Sequence, residues 1–188
     1  NRPVFIALDL LPAFYALSEN YGDPEDYLEA YREGRMSEEA KRIYEVLLEK
    51  GPQSTGDLRR AAGMSSQGAA RYFDRAIAEL QMGFLIVKSG VSDANRWKYC
   101  YVYDLLARQF PEQVAAARHI SQDEASVRIL NRYLQAVLAA RPAEVGRLFG
   151  WDNWRLPRAI ERVAQAGQVV AGQSIEGLAG EFLVHPSL

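Results

Sequence analysis

The stretch "SSQGAARYFDRAIAELQMGFLIVKSGVSDANRWKYCYVYDLL", residues 65–106, decides the fold. Phe73, Ile77 and Leu80 recur at helical spacing, which predicts an amphipathic helix that buries this stripe. The runs "FLIVKSG" and "RWKYCYVYDLL" then predict two strands joined by the polar loop "VSDAN". Aromatic side chains alternate along the second strand at Trp97, Tyr99, Tyr101 and Tyr103. We expect this aromatic face to pack against its own domain.

Two further helices are predicted before this stretch. "SEEAKRIYEVLLEKG" opens at Ser37, whose hydroxyl can cap a helix that has acids in its first turn. "STGDLRRAAG" predicts a short second helix that ends at Gly63. Three helices followed by a β-hairpin form a winged helix, in which the second and third helices are the helix-turn-helix and the hairpin is the wing.

The same order of elements recurs in the second half of the chain. Three helical segments, "DEASVRILNRYLQAVLAA", "PAEVGRLFGW" and "NWRLPRAIERVAQAG", precede two predicted strands, "QVVAGQSI" and "EFLVHP". In the overlay, "LRRAAGM" (58–64) falls on "VGRLFGW" (145–151), and "RAIAEL" (75–80) falls on "RAIERV" (158–163). The predicted fold class is therefore mainly α with small β-hairpins (α+β), as tandem winged helix-turn-helix domains.

Three parts of the chain follow from this repeat. Residues 1–35 are predicted as a lead-in, with "RPVFIALDLL" extended and "PEDYLEAYREG" as a short helix. Residues 36–110 are predicted as the first winged-helix domain, and residues 111–188 as the second.

Composition limits the classes of partner. The net charge of −2 and the pI of about 5.8 argue against an indiscriminate polyanion binder, whose domain pI usually exceeds ~9. No apolar run approaches the ~18 residues of a membrane span, so we expect no membrane partner. A single cysteine cannot form an internal disulfide bond, which favours a cytoplasmic location.

The third helix of the first copy carries the strongest candidate site for DNA. Gln67, Arg71 and Arg75 lie at steps of four, on a stripe apart from the apolar one. Glutamine and arginine suit bidentate contacts with adenine and guanine edges. The alternative interpretation is a solvated face, in which Asp74 and Glu79 pair with these arginines.

Residues on either side of that helix extend the candidate site. Ser65 and Ser66 lie at the helix start, where a hydroxyl and free backbone N–H groups can meet a phosphate. Arg96 and Lys98 add two cations near the tip of the wing. Together these residues predict contacts with double-stranded DNA, including damaged DNA, mainly through its phosphates.

The second copy offers a weaker candidate surface. Arg155, Arg158 and Arg162 share a face of the third helix, and Asn153 lies at its start. The alternative is that this face packs against the first copy or a second chain. Trp151 and Trp154 are interpreted mainly as core or interface residues, because buried tryptophans more often pack than bind.

The residue types of metal and catalytic sites are sparse and scattered. Cys100 lies within a predicted strand and is expected to be buried, and His119 and His185 are isolated in the sequence. No phosphate-cradling "GxxxxGK[ST]" motif occurs. We therefore expect no catalytic residue, metal or cofactor in this chain.

Three stretches carry a family resemblance: "RPVFIALDLLPAFYALSENYGD", "EGRMSEEAKRIYEVLLEKGPQST" and "SDANRWKYCYVYDLL". They resemble a poorly characterised bacterial group related to the winged-helix DNA glycosylases, which excise alkylated bases or unhook interstrand crosslinks. The resemblance covers most of the chain, is densest from Arg2 to Leu106, and implies tandem winged helices arranged around DNA. The proven enzymes carry a Gln-x-Gln or Gln-x-Asp motif in an N-terminal portion, and neither triplet occurs here. Either the chain is a fragment or this branch lacks that chemistry, so no catalytic residue is carried over.

Three hypotheses follow from the sequence. The leading one is a DNA-binding protein of tandem winged helices, non-catalytic as this chain stands, in DNA repair or regulation. The second is a DNA glycosylase or damage-recognition component that acts on alkylated or crosslinked DNA. The third is a protein–protein module, in which the long helix "SQDEASVRILNRYLQAVLAARP" forms a homodimer.

Overall fold

The computed structural model describes residues 5–18, 20, 22–92 and 99–188. It is mainly helical, with two small antiparallel sheets, which confirms the α+β fold class and is consistent with tandem winged-helix units. The helices are α1 (Leu11–Ala16), α2 (Asp26–Arg32), α3 (Glu38–Lys50), α4 (Thr55–Ala61), α5 (Ala70–Met82), α6 (Leu106–Gln109), α7 (Pro111–Ala117), α8 (Gln122–Val137), α9 (Pro142–Phe149) and α10 (Arg155–Gln165). The strands are β1 (Gln53–Ser54), β2 (Ile86–Ser92), β3 (Cys100–Leu105), β4 (Ala139–Ala140), β5 (Val170–Gln173) and β6 (Phe182–Val184).

The chain divides into two compact units. Residues 18–115 form the unit that we call the first winged helix. Residues 116–188, together with the described residues up to Leu17, form the second winged helix. The domain boundaries expected after residues 35 and 110 stay a prediction.

Local sequence signals explain where α3 begins and what it buries. The Ser37 hydroxyl accepts a hydrogen bond from the Ala40 N–H at 3.2 Å, which confirms the predicted cap. The helix ends at Lys50, and Gly51 follows with a φ of 75°, a left-handed conformation that glycine adopts without strain. Ile43 and Leu47 are fully buried in a core that also takes Leu58, Phe73 and Leu80 from the helix-turn-helix.

The base of the first wing is fixed by the buried carboxylate of Asp104. It accepts hydrogen bonds from the Leu105 N–H at 2.8 Å, from Arg108 at 2.5 Å and from Gln109 at 2.7 Å. Arg108 also donates to the Leu47 carbonyl oxygen at 3.0 Å, near the end of α3. Because a buried charge is tolerated only when it is paired and hydrogen-bonded, this cluster joins β3, α6 and α3 at one point.

The second winged helix repeats the layout of the first. The third helices of the two copies bury equivalent positions, since Ala76 and Leu80 correspond to Ala159 and Val163. The sheets also match, with strand order β1-β3-β2 in the first copy and β4-β6-β5 in the second. The internal repeat predicted from short sequence matches is therefore present in the structure.

Two features of the fold depart from the sequence prediction. The strands β1 and β4, which precede the second helix of each copy, were not predicted. The extended lead-in was also wrong over its described part, because α1 begins at Leu11 and accommodates Pro12 in its first turn. Within the second winged helix, Ala13 of α1 is buried against Ala125 and Ile129 of α8, and this packing supplies the partner that a six-residue helix needs.

Candidate nucleic-acid interface

The helix α5 presents a polar face opposite its buried stripe. Phe73, Ile77 and Leu80 are buried, as the spacing predicted. Arg71 and Arg75 are exposed on the same helix, and Gln67 is exposed in the 3-10 turn (Gln67–Ala69) that precedes it. The structure thus leaves the three predicted groups accessible to a ligand from solvent.

The start of this helix is also accessible. Ser65 and Ser66 are exposed, and Ser66 precedes the 3-10 turn without using its hydroxyl as a cap. The first N–H groups of a helix have no acceptor within the helix. Hydroxyl and amide donors therefore lie together where the sequence predicted a phosphate contact.

The charges of Arg71 and Arg75 are not neutralised locally. The Arg71 guanidinium lies 4.7 Å from the centre of the Tyr72 ring and donates to the Tyr72 hydroxyl at 2.8 Å. Among the residues that the structure describes, no carboxylate lies within ion-pairing distance of Arg71 or Arg75. Glu79, a predicted partner of these arginines, instead accepts hydrogen bonds from the Ser37 N–H at 2.6 Å and the Ser37 hydroxyl at 2.8 Å.

Other cations of the helix-turn-helix have partners. Arg60 pairs with Asp57, and the Ser54 hydroxyl donates to the same carboxylate at 2.6 Å. The Ser54 hydrogen bond first, and then Arg60, lower the pKa of Asp57 below its usual value. The Arg59 guanidinium lies 5.6 Å from the centre of the buried Phe73 ring, where it covers the core. These two arginines are therefore less available to DNA than those of α5.

The wing adds one cation that the sequence prediction missed. The Lys88 ammonium lies 3.7 Å from the centre of the Tyr101 ring, and both side chains are exposed. A β-bulge between Lys88 and Gly90 interrupts the ladder at this point. The predicted wing contacts Arg96 and Lys98, together with Trp97, lie outside the described residues.

The aromatic face of β3 packs on its own domain only at its base. Tyr103 is buried, and burial, followed by the nearby Tyr101 and Asp74, raises its pKa. Tyr101 is 49% exposed and Tyr99 is 83% exposed, so the prediction of a fully packed face was wrong for these two. The strand extends past the helical core, and the outer tyrosines find no apolar partner there.

Two chemical predictions can be placed. Cys100 is half-buried at the first position of β3, not buried within the strand. His119 is exposed, and His185 Nδ1 lies 2.7 Å from the Ser187 hydroxyl. In the described part of the chain, no three His, Cys, Asp or Glu side chains gather where they could hold a metal ion.

In the second winged helix, the arginines of α10 contact the start of α8. Arg158 and Arg162 share the carboxylate of Asp123, at 2.5 Å and 2.8 Å. Arg155 donates to the side-chain oxygen of Gln122 at 3.1 Å. Asn153 is exposed before the helix. The structure therefore gathers the three predicted arginines in one cluster, with one carboxylate among them.

The two tryptophans of this region differ. Trp151 stacks on Phe149 with ring centres 5.0 Å apart and packs against the core, as expected. Trp154 is about half exposed and lies 4.8 Å from the Arg155 guanidinium, so the expectation that it packs in the core was wrong. An exposed indole beside a cation is a surface feature.

The repeat explains why the second arginine face is turned inward. In the sequence overlay Glu79 corresponds to Arg162, and both third helices reach the N-terminus of the first helix of their copy. Glu79 binds the capping residue Ser37, whereas Arg162 binds Asp123, two residues after the equivalent cap Ser121. The same structural contact is thus made with reversed charges. Arg162 holds two helices of its unit together, while Arg75 of the first copy has no such task.

This geometry defines a protein of tandem winged helices in which one third helix has an exposed polar and cationic face. The sequence profile described as "AlkZ related" matches residues 1–150, and the chain belongs to this family. No curated protein and no solved structure matches the chain significantly. Within the residues that the structure describes, no helix has the length and apolar character needed to cross a bilayer.

Proposed function

We propose that this protein binds double-stranded DNA through the α5 face of its first winged helix and has no catalytic activity as this chain stands. The carrying observation is that Arg71 and Arg75 are exposed and without ion pairs among the described residues, next to Gln67. In a helix-turn-helix, this helix enters the major groove and its first turns reach base edges. Ser65 and Ser66 then donate to a phosphate at the edge of the groove.

The wing and the second copy have supporting roles in this proposal. Lys88, with Arg96 and Lys98 of the same hairpin, contacts the phosphate backbone beside the groove. Arg155, Arg158, Arg162 and Asn153 of the second copy reach DNA only where a phosphate replaces Asp123 as their partner. An acidic chain with two local cationic faces favours a defined docking geometry over indiscriminate binding.

The test is fluorescence anisotropy with a labelled duplex of about 20 base pairs. Replacing Arg71 and Arg75 by Ala should weaken binding at least tenfold, since two phosphate or base contacts are lost. The matched control replaces Arg60 and Arg128 by Ala, because these two exposed arginines already pair with Asp57 and Glu124. Equal affinities of the two double variants would remove α5 from the interface.

Membership in the AlkZ-related family supports a second candidate, a DNA glycosylase or damage-recognition component for alkylated or crosslinked DNA. Such an enzyme must flip the damaged base into a pocket. The sequence lacks the Gln-x-Gln and Gln-x-Asp triplets, which favours the non-catalytic proposal. Incubation with a duplex that contains an alkylated purine, followed by alkaline cleavage, separates the two candidates. Abasic sites formed in proportion to enzyme concentration would support the glycosylase.

A further inference from the structure

The wing of the first winged helix carries an aromatic face that its own core does not use. Tyr101 and Tyr103 alternate on β3, and Tyr99 continues the alternation at the residue before the strand. Exposure rises along this row, because Tyr103 is buried, Tyr101 is half exposed and Tyr99 is almost entirely exposed. Tyr101 meets Tyr103 edge to face with ring centres 6.5 Å apart, so one edge of its ring is fixed while part of its surface meets solvent.

The charge around this face is positive. Lys88 lies over the Tyr101 ring, and the hairpin from Lys88 to Tyr103 contains three cations, Lys88, Arg96 and Lys98, against one acid, Asp93. An ammonium over a ring is a cation–π pair, which keeps the charge at the aromatic surface. A ligand for this face therefore needs planar π surfaces together with negative charge.

Unpaired nucleotides meet both requirements, whereas an intact duplex hides the faces of its bases. Aromatic side chains beside a basic backbone track are the usual platform for single-stranded nucleic acid, and stacking tolerates any base. We propose that Tyr99, Tyr101 and Lys88 form a stacking site for the unpaired bases of gapped, flipped or single-stranded DNA. This site rests on the proposed DNA binding and adds to it a preference for DNA that has lost base pairing.

The experiment compares three labelled ligands with the full chain by fluorescence anisotropy. They are a 20-nucleotide single strand, a duplex with a one-nucleotide gap, and the intact duplex. Replacing Tyr99 and Tyr101 by Leu should weaken binding to the first two ligands about tenfold or more, and to the intact duplex less than twofold. Replacing both by Phe should keep wild-type affinity, because phenylalanine retains the ring.

The matched control is Tyr31→Leu. Tyr31 is also exposed and also lies near a lysine, with the Lys41 ammonium 5.0 Å from its ring centre. This variant should bind all three ligands as the wild type does. Melting curves of each variant verify folding, and the exposure of Tyr99 and Tyr101 predicts little change in melting temperature.

Two results would overturn the proposal. One is a Leu variant that binds single-stranded and gapped DNA with wild-type affinity. The other is self-association of the wild-type chain in sedimentation that the Leu substitutions abolish, which would assign the face to a second copy. Failure of the proposed duplex binding is a separate result, since it is measured by the intact duplex and the Arg71 and Arg75 variants.

Discussion

Replacing Asp123 by Asn should increase the affinity of this protein for duplex DNA. The carboxylate is the shared partner of Arg158 and Arg162, whose side chains are 53% and 47% exposed, and an amide keeps its shape while removing the charge. Exposed ion pairs contribute about 0.2–1 kcal/mol each. Releasing two of them makes about 1 kcal/mol available for phosphate contacts, which corresponds to a Kd lowered about fivefold.

The same substitution has a predictable cost in stability. Asp123 lies in the first turn of α8, where the helix dipole favours a negative charge by about 0.3–1 kcal/mol. Together with the lost ion pairs, this should lower the melting temperature by about 2–6 °C. A variant that melts earlier yet binds DNA more tightly would have the combination expected of an internal competitor for phosphate.

The assay is an anisotropy titration of the duplex at about 100 mM salt, and the matched control is Glu124→Gln. Glu124 is the next residue on the same helix and pairs with Arg128 at 2.6 Å. Its removal deletes the same charge but releases no arginine of α10, so affinity should rise less than twofold. An equal gain in both variants would indicate a long-range charge effect only. Unchanged or weaker binding of the Asp123 variant would refute any contact of α10 with DNA.

Three further predictions concern stability. Arg108→Ala leaves the buried Asp104 carboxylate without its cation, and urea unfolding should show a loss of about 2–4 kcal/mol, somewhat discounted because the Arg108 side chain is 37% exposed. Burial raises the pKa of Tyr44 to about 12, so its contribution is complete below pH 10 and falls by about 2–3 kcal/mol as the pH rises to 12. Tyr44→Phe should flatten this alkaline loss in urea titrations at pH 9 and pH 11.5. The lowered pKa of Asp57 contributes stability above its usual value, and this is lost as the pH falls through the lowered pKa. Ser54→Ala should therefore reduce the fall in melting temperature between pH 5 and pH 3.

The sequence allowed prediction of those parts of the fold that depend on local patterns. The spacing of Phe73, Ile77 and Leu80 identified the buried stripe of α5, and Ser37 identified the start of α3. The two-residue strands β1 and β4 escaped prediction, because their pairing joins distant positions such as Gln53 and Tyr103. Such short strands have no periodicity of their own, and they form only when the hairpin offers its edge.

The candidate site was predictable in its exposed residues and not in its ion pairs. Helical spacing placed Gln67, Arg71 and Arg75 on one stripe, which needs no knowledge of the tertiary fold. The pairing of Arg162 with Asp123 depends on how α10 crosses α8, which the sequence does not state. One signal was available in the repeat, because Glu79 and Arg162 hold equivalent positions with opposite charges.

The exposure of the wing could not be predicted for a related reason. Alternation along β3 identifies which tyrosines share a face, but it does not show how far the strand extends beyond the core. Tyr103 and Tyr99 have the same residue type and the same phase, yet one is buried and the other almost fully exposed. The position of the helices relative to the strand decides this difference.

The salt dependence of duplex binding tests the central claim most directly, because each phosphate contact contributes about 0.9 to the slope of log K against log salt. We would compare the slope of the wild type with those of two variants, Arg71→Ala with Arg75→Ala, and Arg158→Ala with Arg162→Ala. The first pair should reduce the slope by nearly 2, and the second by less than 1, since Asp123 already occupies those arginines. A slope that is unchanged in the first pair and reduced in the second would contradict the assignment of the DNA contact to the first winged helix.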